Sequence, residues 1–140
     1  MTGREEAKRF AAWCLRRAIA PAALATLALL AIAAWRPVGD LQPLFHAALD
    51  LSVAALALMT IGYSALIGFD ALLFRLIASY EDVTDGCVAV DDLLARMRLK
   101  QRPATIRPLS ARIAGTRRLV WRQHFALALC LLVAGAALVV

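Results

Sequence analysis

His46 and Asp50 stand four residues apart, where the apolar run AALDLSVAALALMTIGYSALIGF begins. A carboxylate within a lipid-crossing segment is costly unless it has a partner or a path to water. On a helix this spacing puts both side chains on one face. Such a pair could handle protons or hold an ion near one membrane interface. The second histidine, His124, lies beside the last apolar run, at the opposite interface in the reading below. One haem or zinc ion held by both is therefore not expected, and no cofactor or metal site is read from the sequence. Cys14, Cys87 and Cys130 form no CxxC pair and no metal-ligand spacing. They read as three free thiols, with residues 14 and 87 on a reducing side. No nucleophile–base set, P-loop or dinucleotide-binding glycine pattern is present. The chain is not read as an enzyme, and no catalytic residue is assigned.

DVTDGCVA, residues 82–89, resembles the opening of the CDP-alcohol phosphatidyltransferase motif, D-x-x-D-G-x-x-A-R followed by G-x3-D-x3-D. Asp82, Asp85, Gly86 and Ala89 match. Val90 stands where that family has arginine, and the later glycine and aspartates, which hold the family's metal ions, have no counterpart here. The chain also has half the spans of that family. The resemblance covers eight residues, and membership is not assigned.

The strongest charge signal is LLARMRLKQRPATIRPLSARIAGTRRLVWRQ, residues 93–123. It holds Arg96, Arg98, Lys100, Arg102, Arg107, Arg112, Arg117, Arg118 and Arg122, and no acid. VDDLLARMRLK, residues 90–100, reads as a short helix. Its acids Asp91 and Asp92 come first and its bases last, which suits the helix dipole. Val90, Leu93, Leu94 and Met97 share one face and read as apolar anchors for a docking partner. The basic residues would supply the electrostatic contacts. Anionic lipid headgroups attract such cations by about 1 kcal/mol each near a membrane surface. Other membrane proteins, or copies of this chain, could use the same patch. Nucleic acid is disfavoured, because aromatic residues are sparse in the stretch and no binding motif is present. Glu81, Asp82, Asp85, Asp91 and Asp92 precede the stretch and can fold back onto it.

The surrounding elements decide how these residues are presented. The chain has 140 residues, of which 62% are hydrophobic, well above the usual share of a soluble domain. Lipid is the simpler solvent. AIAPAALATLALLAIAAW, residues 18–35, is uncharged and would reach about 27 Å as a helix, close to a hydrocarbon core. Trp13 and Trp35 would flank it near the two interfaces. Pro21 is placed in its first turn, where a missing N–H costs little. Glu5 and Glu6, the long leader and two further apolar runs argue against a cleaved signal peptide. The connector RPVGDLQPL is rich in turn residues. The second run continues through ALLFRLIASY as a helix leaving the bilayer, and Asp85-Gly86 is expected to break it. Pro103 and Pro108 bound a linker, and Ser110 is a candidate N-cap for a last helix. Residues 119–140 complete a third span with Trp121 at the interface. Small residues recur every fourth position, as Thr60, Ser64 and Gly68 in the second run and Ala18, Ala22 and Thr26 in the first. Such rows let helices approach closely.

Charge sets the orientation. Residues 1–17 carry five basic and two acidic residues, 36–46 one of each, and 93–123 nine basic and none acidic. Positive residues in short loops stay cytoplasmic. The expectation is an all-α integral membrane protein with three transmembrane helices, N-terminus in and C-terminus out. Its parts are a basic cytoplasmic tail (1–17), helix 1 (18–35), an outer connector (36–45), helix 2 (46–69), a helical, basic cytoplasmic segment (70–118) and helix 3 (119–140). The expected location is a bacterial inner membrane. The expected role is an accessory or interaction subunit of a membrane assembly. A holin-like pore former or an ion-coupled transporter subunit is the alternative.

Overall fold

Alanine and leucine dominate the three apolar runs, and both favour helix. The computed structural model describes residues 3–34, 43–99 and 107–139, all in helices or the turns that join them. In chain order these are α1 (Gly3–Ala34), α2 (Pro43–Ser79), α3 (Val83–Arg96) and α4 (Leu109–Val139). Three helices are long and apolar enough to cross a membrane: Gly3–Ala34, Phe45–Ser79 within α2, and Leu109–Val139. The all-α class and three candidate spans therefore stand. Trp35, residues 36–42 of the connector, the docking candidates Lys100 and Arg102, and Pro103 lie outside the described residues.

Three local expectations are corrected. The first concerns Pro21. Because α1 begins at Gly3, Pro21 lies deep inside the helix rather than in its first turn. It supplies no N–H to the Arg17 carbonyl, a cost of about 3 kcal/mol in an ordinary helix interior. The second concerns the end of α2. The helix stops at Ser79, where the Tyr80 N–H closes a short turn onto the Ile77 carbonyl at 3.3 Å. Asp82 then caps α3, its carboxylate accepting from the Thr84 N–H at 2.9 Å. The helix break is at residues 80–82, and Asp85-Gly86 lies inside α3. A Cβ on Gly86 would meet the Ile77 carbonyl oxygen at 2.8 Å, so glycine permits the close approach of α3 to α2. Most of the apparent phosphatidyltransferase match thus has local structural work: Asp82 caps, Asp85 sits in the acidic first turn, and Gly86 packs. The third concerns Ser110. It lies within the first turn of α4, and the Pro108 carbonyl accepts from the Ala111 and Arg112 N–H groups.

The far end of α3 closes as a Schellman motif. Leu99 N–H reaches the Leu94 carbonyl at 3.1 Å and Arg98 N–H reaches Ala95 at 3.0 Å. Arg98 takes φ 54°, a left-handed conformation usually left to glycine. The helix therefore ends at Arg96, short of the expected residue 100.

The chain divides into two units. Unit 1 comprises Met1–Arg16 and Ile67–Arg118, and unit 2 comprises Arg17–Leu66 and Leu119–Val140. In unit 1, Ala7, Phe10, Ala11 and Cys14 of α1 are buried, as are Ile67, Ala71, Phe74 and Ile77 of α2. Both sets keep the three- and four-residue steps of one helix face. The Phe10 ring stacks on Trp13 at 5.2 Å and meets Phe74 edge-on at 4.9 Å. In unit 2 the core is small: Ala25, Ala28, Val53, Ala57, Leu127, Cys130 and Ala134.

Candidate functional site

The polar centre of unit 1 is Arg112. Pro108 starts α4 so that Arg112 falls in its first turn. Its guanidinium contacts the Asp91 carboxylate at 2.7 Å and donates to the Cys87 carbonyl at 3.3 Å, tying α4 to α3. The pair is nearly enclosed, with side-chain exposures of 12% and 9%. The second oxygen of Asp91 is buried and has no hydrogen-bond partner. Such a pair adds little net stability, but removing one partner strands a charge at about 3–5 kcal/mol. One turn along α4, the Thr116 hydroxyl contacts Asp70 Oδ2 at 2.7 Å and the Arg112 carbonyl at 3.2 Å. Since both are acceptors, its proton is shared between them. Beyond this network, Arg4 Nε donates to the Ala78 carbonyl at 2.9 Å. Burial pushes the Cys87 thiol above its ordinary pKa, although the nearby Arg112 guanidinium pulls it down.

An open groove of about 330 Å³ lies between the N-terminal parts of α1 and α4 in unit 1. Phe10, Trp13 and Ile113 line its apolar part, and Glu6, Arg9 and Arg117 its charged part. Phe10 and Ile113 are buried, whereas Glu6, Arg9 and Arg117 are exposed.

The docking candidates separate into two sets. Val90 is wholly buried and Arg112 is engaged internally, so neither is presented as a surface contact. Leu93 and Leu94 are half-buried and Met97 is exposed. Arg96, Arg98, Arg107, Arg117, Arg118 and Arg122 are exposed. The fold-back of acids onto the basic stretch is realised at Asp91 and Arg112.

Unit 2 carries the other polar candidates. Asp50 is exposed on α2 and His46 is half-buried one turn earlier. The His46 ring meets Phe45 edge-on at 6.2 Å. His124 Nδ1 lies 2.7 Å from the Val120 carbonyl, which requires the proton on Nδ1. Thr60 and Ser64 are buried, as a packing row requires. Gly68, in unit 1, does not continue it, because a Cβ there would meet nothing within 4 Å. In α1 the buried row is Ala18, Pro21, Ala25 and Ala28, and Thr26 of the expected row is exposed. Gln123 is fully buried; its Nε2 donates to the Ser64 hydroxyl at 2.6 Å, which donates to the Thr60 carbonyl at 3.0 Å.

Sequence reasoning missed Asp70, Thr116 and Gln123. Asp70 had a signal, an acid closing an apolar run, but its partner is 46 residues away. Gln123 had one as well, since it is the uncharged polar residue among the apolar positions that begin the last run. The groove aromatics Phe10 and Trp13 were missed as a pair as well, and their i, i+3 spacing was the signal. Compared with protein-family models, curated proteins and solved structures, the chain matches none.

Proposed function

We propose that the chain is a three-span accessory or interaction subunit of a bacterial inner-membrane protein assembly. In this reading the N-terminus and residues 70–118 are cytoplasmic, and the connector and C-terminus are outside. The charge bias of the sequence supports that orientation, since the connector is neutral and both other segments are basic. The observation that carries docking is the exposure of the consecutive residues Arg96, Met97, Arg98 and Leu99, with Met97 and Leu99 50% and 61% exposed. Exposed apolar side chains alternating with cations suit an acidic, partly apolar protein surface. Such a subunit performs no chemistry; it holds a partner and sets its register against the membrane.

Purification in mild detergent tests this. A stoichiometric membrane partner should co-purify, and Arg96→Glu with Arg98→Glu should release it. A clean preparation with no second protein would count against docking. A reporter fused after Val140 should be inactive in the cytosol. Abrupt growth arrest with ion leakage on expression would favour the holin-like alternative. Loss of function on Asp50→Asn alone would favour ion coupling.

A further inference from the structure

We infer that the groove of unit 1 binds the headgroup of a zwitterionic phospholipid bearing a primary ammonium, such as phosphatidylethanolamine. The inference rests on the membrane reading above and names a ligand for a groove that shares only Arg117 with the docking candidates. Three features point to it. The first is charge: Arg9 and Arg117 supply two guanidiniums and Glu6 one carboxylate. Guanidinium pairs with phosphate oxygens in a forked geometry. A carboxylate accepts from an ammonium that has N–H groups to give. The second feature is the floor. Phe10 is held by stacking on Trp13 and edge-on by Phe74, so the aromatic surface is fixed before a ligand arrives. Ile113 offers an apolar shelf to the glycerol. The third is size and place. A volume of about 330 Å³ is at the small end for ligand sites and takes a headgroup while leaving acyl chains outside. Trp13 precedes the uncharged run from residue 18 by five positions, and Arg117 precedes the run from residue 119 by two. In the proposed orientation both belong to the headgroup layer.

The ligand choice follows from Glu6. A phosphoglycerol headgroup brings an anion and no cation, and so sets its charge against this carboxylate. A choline headgroup brings a cation that cannot donate a hydrogen bond to it. Of these three headgroups, ethanolamine is the one that satisfies both ends.

The test uses the full chain in maltoside micelles, with Trp35→Phe and Trp121→Phe so that Trp13 alone reports. Short-chain phosphatidylethanolamine, phosphatidylcholine and phosphatidylglycerol are titrated, with inorganic phosphate as a fourth arm. The ethanolamine lipid should change Trp13 emission saturably and bind about fivefold tighter than either other lipid. Glu6→Gln should remove the preference over choline, and Arg9→Gln with Arg117→Gln should weaken all three lipids about tenfold. These are exposed rim residues, and helix content by circular dichroism checks that the variants fold. Equal responses to the three lipids would overturn the inference, as would an equal response to phosphate or an unchanged arginine variant. A chain that needs detergent but shows no headgroup preference would sink this inference alone. A chain that stays in solution without detergent would sink the membrane reading beneath it.

Discussion

The two units solve the same packing problem with different side chains. Unit 1 joins its helices with aromatic rings, an enclosed ion pair and a carboxylate–hydroxyl contact. Unit 2 joins its helices with alanines, one glutamine and a cysteine against the Val53 carbonyl. The difference teaches what each solvent rewards. Aromatic burial gains most where the alternative is water. Where the alternative is lipid, close approach of small residues and interhelical hydrogen bonds carry the association.

Removing one half of the ion pair is the largest test of this contrast. Arg112→Ala should lower stability by about 3 kcal/mol, measured by SDS titration in maltoside micelles. Asp91→Leu together with Arg112→Leu should come within about 1 kcal/mol of the natural chain, because no stranded charge remains. Equal losses in the single and double variants would show that the pair is not enclosed. Next comes Gly86→Ala, which forces a methyl against the Ile77 backbone and should cost about 2 kcal/mol. Gly115→Ala is its control, since a Cβ there meets nothing within 4 Å, and it should be neutral or slightly stabilising.

In unit 2 the corresponding effect should be smaller. Gln123→Ala should cost about 1 kcal/mol, and a double-mutant cycle with Ser64→Ala should give a coupling near 0.6 kcal/mol. A coupling as large as the ion-pair effect would erase the distinction between the units. The smallest effect has the opposite sign. Arg98→Gly should stabilise α3 by about 0.5 kcal/mol by relieving the left-handed backbone, seen as slower amide exchange in its last turn.

The long helices were legible because apolar runs near span length leave the chain little choice. What sequence hid was local. Asp85-Gly86 reads as a breaker by composition, yet Asp82 had already capped the helix, and Gly86 serves a neighbour instead of a turn. The Thr60 and Ser64 row was readable from its spacing, because the partner contributes a single residue, Gln123. The α1 row was read in the wrong phase: Thr26 bonds back to the Ala22 carbonyl on an exposed face, and Pro21 takes the buried position. At the candidate site the charges were visible but their fates were not. Nothing in the spacing of nine basic residues marks Arg112 as the one that folds inward. Only the α3–α4 packing in unit 1 sets it beside Asp91.

Cys14, Cys87 and Cys130 are all buried and free. The natural chain is thus nearly silent to membrane-impermeant maleimides and needs no prior removal of its own thiols. Cysteines introduced singly at exposed positions such as Arg107, Glu81 or Asp50 would report from a quiet background, so sidedness can be mapped on an otherwise unaltered protein.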